Sequence, residues 1–158
     1  MIGLLQRVSD ARVEVAGRAV GAIGPGLLVL IGVERGDGDL EAARLLERLV
    51  TYRVFPDDAG RMNRSLLDNG GGLLLVPQFT LAADTQKGTR AGFSRAASPD
   101  EGLRLFNRLV ALARGRVSAV ATGEFGAHMR VSLTNDGPVT FWLQVAPDAA
   151  SQTAVASP

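Results

Sequence analysis

The sequence predicts an α+β fold: a mostly antiparallel, barrel-like sheet with two main helices. Three observations carry this. Short alternating or apolar runs outnumber helical ones, the connections between them are mostly of hairpin length, and only two stretches have an amphipathic 3.6-residue stripe. Ile2 to Val8 and Ala11 to Ala16 read as strands, the second because Ala11, Val13 and Val15 alternate with Arg12 and Glu14. Gly17 and Gly24-Pro25-Gly26 are turn signals. Leu27 to Val33 is a continuous apolar run, as in a strand buried on both faces.

Asp37 to Tyr52 is predicted helical, with Ala42, Leu45, Leu46, Leu49 and Val50 on one face. Pro56 to Gly60 and Asn69 to Gly72 are turns, and Leu73 to Phe79 is the central strand. Ser98-Pro99-Asp100-Glu101 opens the second helix with an N-cap, a first-turn proline and a capping box. Its expected buried face is Leu103, Phe106, Leu109, Val110 and Ala113, and Gly115 ends it. Val117 to Thr122, Ala127 to Thr134 and Val139 to Val145 are three closing strands. Residues 1–146 are expected to form a single domain, and 147–158, rich in Ala, Ser and Pro, are expected to be a frayed tail.

At 158 residues, 46% hydrophobic and 21% charged, the chain can bury a real core and does not read as disordered. A net charge of +1 means that any contact with a polyanion must be local. There is no cysteine, so a disulfide scaffold, a thiolate nucleophile and a cysteine–zinc site are excluded. No signal peptide opens the chain and no apolar run reaches membrane-spanning length, so a cytoplasmic protein without a membrane partner is expected.

The single histidine, His128, shares a strand face with Arg130 and Ser132 and is expected at the surface. Neither a Ser-His-acid triad nor a metal site has its residues, and no metal or other cofactor is expected. Asp57 and Asp58 suit a turn. An activated ester needs little acid–base chemistry, and backbone amides aimed at the developing oxyanion can suffice. Gln78, Phe79 and Thr80 at the end of a buried strand are candidate donors, whereas Pro77 has no N–H. The alternative is a plain strand with Phe79 turned inward. Asn135-Asp136-Gly137-Pro138 reads equally as a hairpin turn. Phe125, between Gly123 and Gly126, could stack on a base or fill the core. Gln86 to Arg95 carries Lys87, Arg90 and Arg95 with no acid, which suits phosphate contact or an ordinary solvated loop.

Taken in order, these blocks resemble the D-aminoacyl-tRNA deacylases (D-tyrosyl-tRNA deacylases), from Met1-Ile2-Gly3-Leu4-Leu5-Gln6-Arg7-Val8 to Val139-Thr140-Phe141-Trp142-Leu143-Gln144-Val145. The most specific pieces are Gln78-Phe79-Thr80-Leu81-Ala82-Ala83-Asp84-Thr85, Phe93-Ser94 and Asn135-Asp136-Gly137-Pro138-Val139-Thr140. The resemblance implies a homodimer with its active site at the subunit interface, acting on the 3′ end of aminoacyl-tRNA. It implies that a cis Gly137–Pro138 peptide enters the other subunit's site and rejects L-residues while passing glycine. It places Phe79 and Thr80 near the ester, Arg7 under the Gly-Pro loop beside Val139 and Thr140, and Phe125 and Met129 at the terminal adenosine. It also implies help from the ribose 2′-hydroxyl.

Two positions depart from the family pattern: Pro77 stands where serine is usual, and Ala91-Gly92 where Pro-Ser is usual. A sister group that removes L-alanine from a threonine tRNA carries that proline, but with a trans Gly-Pro bond and another residue in place of Phe79. That activity, and a non-catalytic tRNA-binding dimer, are the alternatives to D-aminoacyl-tRNA hydrolysis.

Overall fold

The computed structural model describes residues 1–147, so all but the first residue of the expected tail lies outside the described region. The first strand, β1 (Ile2–Val15), runs unbroken where two strands were expected. Ser9 and Asp10 do not end it because another strand accompanies it throughout. One edge of β1 is shared by β2 (Arg18–Ile23), which pairs with Ala11 to Val15, and β3 (Gly26–Gly32), which pairs with Ile2 to Val8, both antiparallel. Strand β2 has no strong signal in the sequence, since all of its residues are half-buried or exposed. Ala16 and Gly17, both at positive φ, make the tight turn from β1 into β2.

Helix α1 (Asp39–Thr51) begins two residues later than expected. Gly38 is its N-cap, and Glu41 accepts a hydrogen bond from the Gly38 amide at 2.8 Å. Asp37 instead reaches the chain's α-ammonium group. Met1 is fully buried, and its nitrogen donates to Asp37 Oδ1 and to the Val145 carbonyl, both at 2.6 Å. Burial lifts the Asp37 carboxyl above its ordinary pKa, against the opposing pull of the ammonium and the Glu34 amide. A small hairpin, β4 (Phe55–Pro56) and β5 (Met62–Arg64), encloses the predicted turn. One helical turn, α2 (Leu66–Asn69), capped by Ser65, leads to a left-handed Gly70.

Strand β6 (Gly72–Pro77) is buried over Gly72 to Val76 and pairs in parallel with β3. It stops two residues short of the expected end, and Phe79–Ala82 form a 3₁₀ turn instead. Gly32 at the end of β3 makes room for that turn: a Cβ there would lie 2.9 Å from Leu81 Cβ.

Helix α3 (Pro99–Arg114) returns over the sheet. Ser98 accepts from the Glu101 amide, but the other half of the expected capping box is absent because Glu101 pairs with Arg104 at 2.7 Å. Its buried face is Gly102, Leu105, Phe106, Leu109, Val110 and Ala113. Leu103, expected inside, is 40% exposed, because the stripe is centred on Leu105 rather than one turn-edge earlier. Strand β7 (Val120–Thr122) is shorter than predicted and pairs in parallel with β6; β2 lies against it, bending the sheet toward a barrel. The antiparallel ladders that β1 makes with β8 and β3 are the longest in the sheet, in keeping with the expected fold class.

The last strand, β8 (Met129–Gln144), takes the whole other edge of β1. It replaces the two expected strands, and Asn135 to Pro138 is therefore not a hairpin turn between partners. Gln6 faces Thr140 and Val8 faces Asn135, so one residue of β1, Arg7, stands opposite the four residues Asp136 to Val139. The extra residues are extruded as a wide bulge.

Candidate active site

Two places hold the residues singled out in the sequence. At the first, the end of β6 and the 3₁₀ turn form one wall of a cavity of about 450 Å³. Pro77, Gln78 and Phe79 line it, facing Phe125 and Met129 from the segment that enters β8, with Ala97 to Pro99 and Gly102 of α3 closing another side. Phe79 is 60% exposed and packs against Phe93, with ring centroids 5.1 Å apart, so the inward-facing strand reading of this residue is overturned. Phe125 leans on Phe106 with centroids 6.5 Å apart, presenting its remaining surface to the cavity.

The backbone donors divide. The Gln78 amide donates to the Ile31 carbonyl at 2.7 Å and is not available to a ligand, which corrects its place among the candidate donors. Bonding within the turn starts only at Leu81, whose amide donates to Gln78 O at 3.2 Å. Among the described residues, the amides of Phe79 and Thr80 precede that point and have no partner within the turn; Phe79 lines the cavity, whereas Thr80 faces a separate surface pocket. The Gln78 side chain turns instead to Thr80, its Nε2 donating to the Thr80 hydroxyl in a short bond. His128 is exposed as expected, yet its segment also lines the cavity, a position that strand alternation alone did not reveal.

The second place is the bulge of β8. The Gly137–Pro138 peptide is cis, and Gly137 has φ of 151°. A Cβ on Gly137 would sit 2.6 Å from Val139 Cγ2 and 2.7 Å from the Val139 nitrogen, so glycine is required there. Asn135 ties the bulge at its base: its Oδ1 accepts from the Val139 amide at 2.7 Å, and its Nδ2 donates to Thr140 Oγ1 at 2.9 Å. Arg7, opposite, donates from Nε to the Asp136 carbonyl at 2.9 Å and from Nη1 to the Val54 carbonyl at 2.6 Å. The loop is thereby braced from the strand side and from the segment leading into β4. None of Arg7, Gly137, Pro138, Val139 or Thr140 lines the cavity beside Pro77 to Phe79. Within one chain the two halves of the expected site stay apart.

A family model described as D-Tyr-tRNA(Tyr) deacylase matches residues 4–144. The chain belongs to that family. A D-aminoacyl-tRNA deacylase of Thioalkalivibrio sulfidiphilus is 68% identical over 147 residues, covering 93% of this chain and 99% of the relative. One from Nitrosococcus oceani is 62% identical and covers 98% of both chains. Among solved structures, the c-Myc DNA Unwinding Element Binding Protein superposes with a TM-score of 0.88 at 33% identity, covering 93% of this chain and all of the other. A structure described as a probable eukaryotic D-amino acid tRNA deacylase shares the fold, with a TM-score of 0.78 at 19% identity over 91% of this chain and 98% of its own.

In this deacylase-family chain, sequence reasoning missed two supports of the bulge. In the sequence Asn135 is only one of several turn formers, although an asparagine able to bond the amide four residues on is itself a loop-closing signal. Val54 contributes only a carbonyl, which leaves no mark in the sequence.

Proposed function

We propose that this chain hydrolyses the ester of D-aminoacyl-tRNA to free amino acid and tRNA, and also clears glycine mischarged on an alanine tRNA. The observation that carries the reading is the braced Gly137–Pro138 bulge, standing out from β8 and apart from the cavity of its own chain. A site uniting the two takes two copies, so the reading is a homodimer in which each bulge enters the other subunit's cavity. Exposed apolar side chains suit such a union: Phe79 is 60% and Trp142 51% accessible.

The terminal adenosine lies between Phe125 and Met129, which brings its ester to the end of β6. The amides of Phe79 and Thr80 donate to the carbonyl oxygen as it gains charge, with Gln78 holding the Thr80 side chain in place. Water adds to the carbonyl carbon with help from the ribose 2′-hydroxyl, the ester C–O bond breaks, and the ribose oxygen takes up a proton. The Gly137 and Pro138 carbonyls accept from the substrate ammonium and leave no room where an L-side chain would project. Such a clash with backbone is not relieved by rotation. Arg7, Asn135, Val139 and Thr140 keep the bulge in place. A tRNA substrate fits a cytoplasmic location.

Pro77 supports a second reading, removal of L-alanine from a threonine tRNA. Hydrolysis of matched D-tyrosyl-, L-tyrosyl-, glycyl- and L-alanyl-tRNA separates the possibilities. Cleavage of the D- and glycyl esters alone is expected. Cleavage of L-alanyl-tRNA as well points to the second activity, and no cleavage to a tRNA-binding protein. Substrates ending in 2′-deoxyadenosine should react far more slowly, and equal rates would exclude the 2′-hydroxyl.

A further inference from the structure

The basic segment Gln86 to Arg95 is mounted on the walls of the cavity. Upstream it leaves the 3₁₀ turn through Ala83, and downstream it runs into Ala97, Ser98 and Pro99, which line the cavity. Asp84 and Gly92 close its neck with two backbone hydrogen bonds, of 2.8 and 3.0 Å. Below that neck Phe93 packs on Phe79, and the Arg35 amide donates to the Arg95 carbonyl at 2.8 Å. The closed tip, 85–91, therefore has a fixed base beside the candidate oxyanion donors.

The three cations of the segment differ in state. Arg95 pairs with Glu34 at 3.2 Å and serves the mount. Lys87 and Arg90 are exposed on the tip, and among the described residues neither is paired with a carboxylate. At the neck, Asp84 accepts from the Gln86 amide at 3.0 Å. Two free cations on a tethered loop at the cavity rim, in a chain of net charge +1, form a local positive site rather than part of a basic coat.

We propose that Lys87 and Arg90 bind the backbone phosphates of the RNA strand just 5′ of the terminal adenosine. This rests on the reading of the cavity as an aminoacyl-tRNA site and assigns how that site holds the polynucleotide beyond its last nucleoside. Nucleoside contacts at Phe125 and Met129 do not distinguish a tRNA from a free aminoacyl-adenosine. A phosphate contact at the rim does, and it raises affinity without base specificity.

The test is the Lys87→Ala, Arg90→Ala double variant, with Lys87→Arg as the charge-keeping control. KM and kcat are measured on D-tyrosyl-tRNA and on D-tyrosyl-adenosine, which has no phosphate. Binding of uncharged tRNA is followed against salt. The double variant should raise KM for the tRNA about tenfold with kcat nearly unchanged, and leave the nucleoside ester unaffected. Its log–log salt slope for tRNA binding should fall by roughly 0.7 for each single-strand phosphate no longer neutralised, and Lys87→Arg should keep the wild-type values. An unchanged KM and slope on tRNA overturns the proposal, as does an equal loss on both substrates. Should the wild type cleave neither ester, the hydrolase reading fails while the slope of uncharged-tRNA binding still decides the role of Lys87 and Arg90.

Discussion

Replacing Asn135 by alanine tests whether the bulge of β8 is held in shape or merely sits there. The side chain makes its closest bond as acceptor from the Val139 amide at 2.7 Å, a half-buried group that would lose its partner. It also donates to Thr140 Oγ1 at 2.9 Å, an exposed bond that water can replace, and, at a long and therefore weak 3.3 Å, to the half-buried Val139 carbonyl. A lost partner for a partly buried amide costs about 1 kcal/mol, and the other two bonds add little, so the whole should come to about 1–2 kcal/mol. For a chain of this size that corresponds to a fall in Tm of about 3–6 °C. Arg7 still ties the Asp136 carbonyl, so the bulge should loosen at its Val139 side rather than detach. Urea unfolding gives the first quantity. The ratio of D-tyrosyl- to L-tyrosyl-tRNA hydrolysis gives the second and should fall several-fold, because a mobile bulge no longer excludes the L-side chain. Unchanged stability together with an unchanged ratio would refute the idea that Asn135 organises the bulge.

Gly137→Ala places a Cβ 2.6 Å from Val139 Cγ2 at a φ that side-chain-bearing residues rarely adopt, so D-aminoacyl-tRNA hydrolysis should be lost while far-UV circular dichroism stays native. Thr80→Ala should leave kcat within a few-fold, since the proposed donor is its backbone amide; complete loss in single-turnover assays would make the hydroxyl a participant. Asp37→Ala takes the closer carboxylate from the buried Met1 ammonium, leaving only Glu34 at 3.6 Å, and removes the partner of the Glu34 amide, so denaturant titration should show a loss of about 3 kcal/mol. Asp57 is held below its ordinary pKa by the Asn63 side chain and then by the Arg61 amide. The stability it lends the β4–β5 hairpin is therefore present above the unfolded aspartate pKa and lost as pH falls through the depressed folded value. Asp57→Asn should flatten this part of the acid limb of an unfolding curve.

Elements with local signals are legible in the amino-acid order alone. The apolar run from Leu27 fits a strand covered on both faces, Ser98 and Pro99 start α3, and the helical stripe of α1 buries as its spacing requires. Each depends on interactions within a few residues, where propensity and periodicity act directly. The resemblance puts Phe79 and Thr80 near the ester and Phe125 and Met129 at the adenosine; Phe79, Phe125 and Met129 line one cavity, whereas Thr80 faces a different surface pocket.

Other features depend on partners distant in the chain and emerge only when the strands assemble. Ser9-Asp10 and Asn135 to Pro138 have turn-forming residues, yet both lie inside long strands, because β1 and β8 template each other from end to end. Their ladder tolerates an extruded loop, and Arg7 opposite it makes that loop rigid. Leu103 lies outside because the packing of α3 on the sheet, not the helical period alone, sets which way its stripe faces. The Gln78 amide is taken by Ile31 O, a bond set by the register of β3 and β6 that no local pattern encodes. Local chemistry selects the pieces, but only the ladder determines which backbone groups are already paired and which loop stands out from the sheet.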